Sequence, residues 1–213
     1  MAKQKVEVDQ DQLGRPPAFT RERIWQAAME LFLEQGYAQT NLEQVAKRAG
    51  VTKPTVYSHF DSKPNLFNSV VRGCAQQRLG QIAQLEDPSG DPRQDLTQFG
   101  NTFLDLVLAP DAQRWDRLAA SESMKHPEVG AMFYQAGPKQ LLDRLSGYLA
   151  KQKKAGRLNP PRPAVAAEQL IGLLVGVDIL RSLIGQAPPT RAQRRKRCRE
   201  AVDVFLAAYE VTS

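Results

Sequence analysis

The sequence predicts an all-α protein with a small three-helix unit near its amino end and a larger helical domain after it. Two observations predict this class. Apolar residues recur at i, i+3, i+4 and i+7 in one segment after another, and no segment has the strict alternation of a half-buried strand. Prolines and glycines separate these segments. The 213 residues provide room for one large or two smaller domains, with a core that needs no disulfides.

Composition excludes several classes of protein. Cys74 and Cys198 match neither a metal-ligand spacing nor a disulfide framework, so we interpret them as reduced thiols. The first residues contain no apolar run typical of a signal peptide. The most apolar stretch, residues 170–184, is too short and too charged to span a bilayer. We therefore expect a soluble, cytoplasmic protein with no membrane partner. The net charge of +6 is compatible with a nucleic-acid partner, although the basic excess is spread along the chain.

The first predicted helix follows a flexible arm of residues 1–19. Two consecutive prolines, Pro16 and Pro17, are expected to forbid a helix in this arm. Thr20 is a suitable N-cap, and an apolar face then repeats at helical spacing until Gly36 ends the helix.

Two short helices joined by a tight glycine turn follow. A capping box beginning at Thr40 opens the first, over residues 41–49, and Gly50 ends it. Thr52 caps the second, over residues 53–60, which completes a three-helix domain spanning residues 20–66. This is the spacing of a helix-turn-helix, whose second helix fits the major groove of DNA. Its exposed face carries Lys53, Thr55, Tyr57, Ser58 and His59. The spacing alone fits equally well a packing unit that binds no nucleic acid.

The residues of this segment are similar to the amino-terminal domain of the TetR/AcrR family. The family pattern is a threonine opening helix two, then Ala-x-x-Ala-Gly-Val-Ser/Thr, Thr-x-Tyr-x-His-Phe and Ser-Lys. The match extends from residue 20 to about residue 67. The matching residues are Thr40, Ala46, Ala49, Gly50, Val51, Thr52, Thr55, Tyr57, His59, Phe60, Ser62 and Lys63, preceded by Leu31, Phe32, Gly36 and Tyr37. The resemblance implies an all-helical homodimer whose divergent second domain, here residues 67–213, binds a ligand and dimerises.

The resemblance also implies roles in DNA binding. The positions expected to contact phosphate are Thr40, Tyr57, His59 and Lys63. The positions expected to read base edges at the entry of the recognition helix are Thr52, Lys53, Pro54 and Thr55. Pro54 departs from the glycine often found there, so no operator sequence is transferred. Arg15 resembles arms that place an arginine in the minor groove, although a disordered tail fits equally well.

The carboxyl-terminal helices are the expected dimer interface. A predicted helix over residues 163–184 is apolar around most of its circumference, so it must be buried on several sides. In the resembled family the last two helices pair with their copies in a partner, although the core of a monomer explains the same pattern. One recognition helix reads few base pairs, which independently favours two copies. The interface candidates are Leu170, Leu173, Leu174, Val177, Val202, Phe205, Leu206 and Tyr209.

A ligand site has weaker signals. Its candidates are Phe103, Val107, Trp115, Leu118, Met124, Phe133, Tyr134, Leu141 and Asp178, but aromatic and methionine residues at helical spacing are more often ordinary core. Asp178 pairs with Arg181 three positions on, or contacts a ligand or the other subunit. The basic run from Arg191 to Arg199 is a solvated helix face, or it binds an acidic surface, DNA phosphate or an anionic ligand.

The resemblance implies a DNA-binding transcriptional regulator, expected to be a repressor that a small-molecule effector releases from its operator. The alternative is a DNA-binding or protein-interaction module of the same fold without an effector. An enzyme is not expected, because the sequence contains no phosphate-binding glycine loop after a strand, no Gly-x-Ser-x-Gly and no paired metal ligands. No cofactor and no metal are expected. The sequence identifies neither the effector nor the operator.

Overall fold

The structure is a computed structural model that describes residues 17–82, 85 and 88–211. The predicted minor-groove residue Arg15 lies outside the described residues. Within them the all-α class is confirmed, since the chain forms helices and no strand beyond an isolated bridge between Leu158 and Glu210. The helices are α1 Pro17–Gln39, α2 Leu42–Ala49, α3 Lys53–Phe60, α4 Lys63–Leu79, α5 Pro92–Val107, α6 Pro110–Ser123, α7 Pro127–Ala136, α8 Pro138–Lys154, α9 Pro163–Val175, α10 Asp178–Leu183 and α11 Arg191–Tyr209. None of these helices is long and apolar enough to cross a membrane.

Prolines begin helices throughout this chain. α1 and α5 to α9 all have a proline as their first residue. Proline suits this position because its missing N–H would have no partner in the first turn and its fixed φ is already helical. The prediction that Pro17 excludes a helix was therefore wrong. α1 begins at Pro17, and Thr20 lies inside its first turns instead of capping it.

The cap of α2 is one residue later than predicted. The Asn41 side chain accepts hydrogen bonds from the backbone N–H groups of Glu43 and Gln44, and the Asn41 backbone N–H donates to the Gln44 side-chain oxygen. Thr40, the predicted first member of the box, is buried instead, and its hydroxyl donates to the Gly36 carbonyl over 2.8 Å. Both residues are good caps, so the tertiary burial of Thr40 decided between them.

The described chain divides between Val70 and Val71 into two compact units, inside α4 and four residues after the predicted boundary. The first unit has a core of apolar residues from all of its helices, with an aromatic cluster at its centre. The Phe67 ring lies edge-on to both Phe32 and Tyr37, with ring centres 4.9 Å apart in each pair. Such pairs add to the stabilisation from burial. They join α4 to α1 and support the short helices α2 and α3 between them.

The second unit is built around α5, α8, α9 and α11, whose buried faces form one apolar core. That core contains five of the predicted interface residues: Leu170, Leu174, Val202, Phe205 and Leu206. Their assignment to the dimer interface needs correction, because side chains buried in their own protomer leave no surface for a partner. Tyr209 is half-buried and bonds to Gln169. Leu173 and Val177 remain exposed.

The long helix predicted over residues 163–184 is broken into α9 and α10. Gly176 interrupts it with a positive φ of 46°, a conformation that side-chain-bearing residues rarely adopt. The Arg197 guanidinium of α11 donates to the Val175 carbonyl at the end of α9 over 3.1 Å. Helical periodicity continues across the break, which is why the sequence did not reveal it.

Asp178 is a buried charge held by two arginines. Its side chain is 1% exposed, and the predicted Asp178–Arg181 pair is present at 3.1 Å. A shorter ion pair comes from Arg197, whose guanidinium lies 2.7 Å from the other carboxylate oxygen. Burial of a carboxylate is costly unless it is paired. The structural explanation of Asp178 is thus the one that the geometry supports.

Much of the basic run from Arg191 to Arg199 contacts acids of the same chain. Arg194 and Arg195 both bind the Asp105 carboxylate of α5, at 3.0 and 2.8 Å. Arg197 binds Asp178. The run is therefore not a fully solvated face, because Arg194, Arg195 and Arg197 attach α11 to its neighbours, whereas Arg191, Lys196 and Arg199 are exposed.

We expect Arg197→Met to lower the free energy of unfolding by about 3 kcal/mol, because it leaves the buried Asp178 carboxylate with one partner. The matched control is Arg93→Met, which removes an exposed pair with Asp203 and should cost less than about 1 kcal/mol. Urea unfolding followed by circular dichroism measures both. Equal losses in the two variants would contradict a structural role for the buried pair.

Candidate functional site

The turn between α2 and α3 has the geometry of a helix-turn-helix. Gly50 adopts a left-handed conformation with φ 63° and ψ 40°, and the N–H of Val51 bonds back to the Ala46 carbonyl over 3.0 Å. α3 then begins at once, with Thr52 as its N-cap accepting from the Thr55 N–H over 3.3 Å. The predicted cap and the predicted bounds of α3 are both confirmed.

A side chain at Gly50 would also displace the Arg23 guanidinium. A Cβ placed there would lie 2.6 Å from the Arg23 guanidinium, which donates to the carbonyl of Ala49. Arg23 belongs to α1, so this hydrogen bond attaches the turn to the first helix. The packing of α1 thus sets where the end of α2 lies and where α3 starts.

One face of α3 is exposed and polar, while the other is core. Val56 and Phe60 are buried, whereas the Tyr57 ring is 46% exposed. Lys53 extends into solvent, with its ammonium 3.6 Å from the Glu43 carboxylate. Most of the predicted outer residues are exposed, namely Thr52, Lys53, Pro54, Tyr57 and Ser58. Thr55 and His59 are half-buried. The outer face therefore presents hydrogen-bonding groups on a helix short enough to enter a groove.

Two of the predicted phosphate contacts are engaged within the unit. Lys63 donates to the carbonyls of Tyr37 and Ala38, over 2.8 and 3.3 Å, and its ammonium lies 4.4 Å from the centre of the Tyr37 ring. Lys63 thereby stabilises the carboxyl end of α1. Thr40 is 1% exposed, so its hydroxyl has no surface for a phosphate, and that assignment needs correction. Helical spacing gave no signal of the Lys63 contacts, because they join residues about 25 positions apart.

The second unit encloses a cavity of about 340 Å³ between α4, α5, α6, α7, α8, α9 and α10. Five of the predicted ligand residues line it: Phe103, Val107, Trp115, Phe133 and Leu141. Leu118, Met124, Tyr134 and Asp178 do not, which corrects their assignment. Met124 is 87% exposed at the end of α6, and Tyr134 lies on the outer side of α7. Periodicity identified apolar positions but not which helix faces surround a common space.

Sequence reasoning missed three groups that interrupt the apolar wall: Cys74, Arg78 and Asp116. Burial raises the pKa of Asp116 to about 6, against the opposing effects of Arg78 and Arg117. Burial also raises the pKa of the Cys74 thiol. Among the described residues, no side chain or N–H group makes a hydrogen bond or an ion pair with the Asp116 carboxylate. The described residues also contain no group of three or more metal-binding side chains.

Comparison with known proteins agrees with this arrangement. Residues 24–70 match the model of the bacterial regulatory proteins of the tetR family. Residues 94–211, more than half of the chain, match the carboxyl-terminal domain of AefR-like transcriptional repressors. The chain belongs to the TetR family. Its members are DNA-binding transcriptional regulators, and the two matched regions correspond to the helix-turn-helix unit and to α5–α11.

Individual TetR-family proteins are similar to this chain at 27% to 37% sequence identity. It is 30% identical to the transcriptional activator FasR of Mycolicibacterium smegmatis over 49% of this chain and 48% of FasR. It is 37% identical to the transcriptional repressor BepR of Brucella suis over 46% of this chain and 47% of BepR. The chain therefore spans about half the length of the curated relatives it matches. The solved structure of the flavonoid-responsive regulator FrrA superposes with a TM-score of 0.80 and 27% identity, covering 92% of this chain and 100% of FrrA.

We expect Lys63→Met to lower the free energy of unfolding by about 1–2 kcal/mol, because two carbonyls at the end of α1 lose their donor. Lys154→Met removes a lysine from the exposed last turn of α8 and is the control, with an expected change within about 0.5 kcal/mol. Urea titration of both proteins makes the comparison. If Lys63→Met unfolded like the control, its cap role would be refuted.

Proposed function

We propose that this protein is a dimeric repressor that inserts α3 of each protomer into the major groove of its operator and leaves the DNA when a small molecule fills the cavity. The observation that carries the proposal is the exposed polar face of α3, held on a buried core by a helix-turn-helix. The match to AefR-like repressors favours repression, although the relatives include both an activator and a repressor.

The proposed DNA contacts divide into two sets. At the start of α3 we assign Thr52, Lys53, Pro54 and Thr55 to base edges, since recognition helices read bases with their amino-terminal residues. Tyr57 and His59 are assigned to phosphates, with Ser58 beside them. Lys63 and Arg15 stay as further phosphate and minor-groove candidates. Lys53 has a movable ammonium, because its contact with Glu43 is a weak exposed pair.

The proposed dimer face is the exposed apolar side of α9 and α10. Its residues are Leu173, Val177, Leu180, Leu183 and Ile184. Leu180 is 61% exposed, and the spacing of these residues repeats every three or four positions. Monomers rarely expose large contiguous apolar patches, and such patches mark interfaces. This face replaces the buried residues that the sequence suggested, and it keeps Leu173 and Val177 from the earlier set.

The cavity is the proposed effector site. Its wall is mostly apolar with a few polar groups, which is the composition of small-molecule sites. A ligand shifts a dimer away from DNA only if it binds the non-binding arrangement better than the operator-bound one. The structurally similar regulator FrrA is flavonoid-responsive, so aromatic compounds are the first class to test.

We expect Tyr57→Ala to weaken binding to every duplex by about 1–3 kcal/mol, and Lys53→Ala to reduce discrimination between bases at one operator position. The operator would be selected from a random duplex library, and affinities measured by fluorescence anisotropy at several salt concentrations. Lys154→Ala serves as a charge-matched control for Lys53→Ala. Parent-like affinity and base preference in both variants would remove α3 from the DNA interface.

The dimer face is tested with the double variant Val177→Glu and Leu180→Glu. We expect a shift from dimer to monomer in sedimentation velocity, because two desolvated carboxylates would face their copies. Met124→Glu, at an exposed site on α6, should leave the dimer intact. A parent protein that sediments as a monomer at micromolar concentration would contradict the proposed assembly.

Effector control is tested by thermal shift against a broad metabolite panel, followed by anisotropy on the operator complex. We expect at least one compound to raise Tm and to release DNA over the same concentration range. Phe103→Trp, which fills part of the cavity, should weaken both effects together. If compounds that stabilise the protein never release DNA, the module without an effector is the better description.

A further inference from the structure

The cavity contains charges that its apolar wall does not neutralise. Aromatic and aliphatic side chains make up most of the lining, but Arg78 of α4 and Asp116 of α6 belong to it as well. No ion pair joins these two side chains in the described part of the chain. Buried charges in proteins are normally paired, so an unpaired acid on a cavity wall calls for a ligand group.

The Asp116 carboxylate calls for a hydrogen-bond donor. Asp116 is half-buried, and burial is the main reason for its raised pKa of about 6. At neutral pH most of the population is still ionised, so the carboxylate acts as an acceptor. A donor from a ligand would restore the hydrogen bond that water no longer supplies.

The charges around Asp116 determine which kind of hydrogen-bond donor a ligand would need. Arg78 and Arg117 both act on Asp116, but only Arg78 and Asp116 line the cavity, while Arg117 donates to the Ser182 carbonyl over 3.3 Å. A cationic ligand would meet the Arg78 guanidinium, and an anionic ligand would meet the Asp116 carboxylate. A neutral hydroxyl avoids both penalties, because its O–H donates to Asp116 while its oxygen accepts from Arg78.

We propose that the cavity binds a neutral, mostly apolar ligand whose hydroxyl group lies between Asp116 and Arg78. This inference rests on the proposed effector site and narrows it to one chemical class. Asp116 sets the preference for a hydroxyl, while apolar residues such as Phe103 and Trp115 provide most of the contact surface.

Four naphthalene probes of similar size test the proposal by isothermal titration calorimetry at pH 7.5. They are naphthol, its methyl ether methoxynaphthalene, the protonated naphthylmethylamine and naphthoate. We expect naphthol to bind about tenfold more tightly than the methyl ether, which accepts a hydrogen bond but cannot donate one. The amine and the acid should both bind more weakly than naphthol.

Asp116→Asn distinguishes ligand recognition from a structural role. It removes a desolvated charge, so we expect Tm of the ligand-free protein to rise by a few degrees. The preference for naphthol over its ether should fall several-fold, with the affinity for the ether unchanged. Asp111→Asn, at the exposed start of the same helix, is the control and should keep the parent's preference.

The proposal is overturned if the amine binds best, if all four probes bind equally, if none binds, or if Asp116→Asn keeps the full preference for naphthol. Failure of the proposed function gives a different result. Naphthol would then bind with the expected dependence on Asp116, but neither it nor any panel compound would release operator DNA. Release of DNA by a compound that needs no Asp116 would leave the effector role in place and reject only the hydroxyl assignment.

Discussion

The reversal of the chain at Gly50 is the constraint on which the DNA-facing surface depends. Its left-handed backbone ends α2, and the Arg23 hydrogen bond to Ala49 attaches that end to α1. α3 begins two residues later, with Val56 and Phe60 committed to the core. Once these apolar residues are buried, the helix has no rotational freedom left. Lys53 and Tyr57 must then lie on the outer face.

In the second unit, the short segment around Gly176 also contributes to more than one surface. The break at Gly176 separates α9 from α10, and Arg197 binds on both sides of it, at Val175 and at Asp178. Ile171, Val175 and Ile179 line the cavity, whereas Leu173, Val177 and Leu180 are exposed. One short stretch of chain thus contributes to the cavity on one side and to the proposed dimer face on the other. A ligand that moves this stretch would affect both surfaces.

The family assignment and the local geometry establish different properties of the protein. The matched regions establish a TetR-family protein, and they agree with the two compact units. They do not say which side chains are free to act. Burial removes Thr40 from the candidate phosphate contacts. The lining of the cavity adds Arg78 and Asp116 to the candidate ligand contacts.

The sequence by itself determined the helical class, the glycine turn, the cap at Thr52 and the bounds of α3. All of these depend on neighbours within about one helical turn, where residue type and spacing are sufficient. Only the tertiary structure decided that Asn41 caps α2, that Lys63 binds the end of α1, and that α9 breaks from α10. It also decided which apolar residues form core, cavity or exposed face. Those outcomes depend on contacts between segments far apart in the chain, and a one-dimensional pattern of polarity does not contain them.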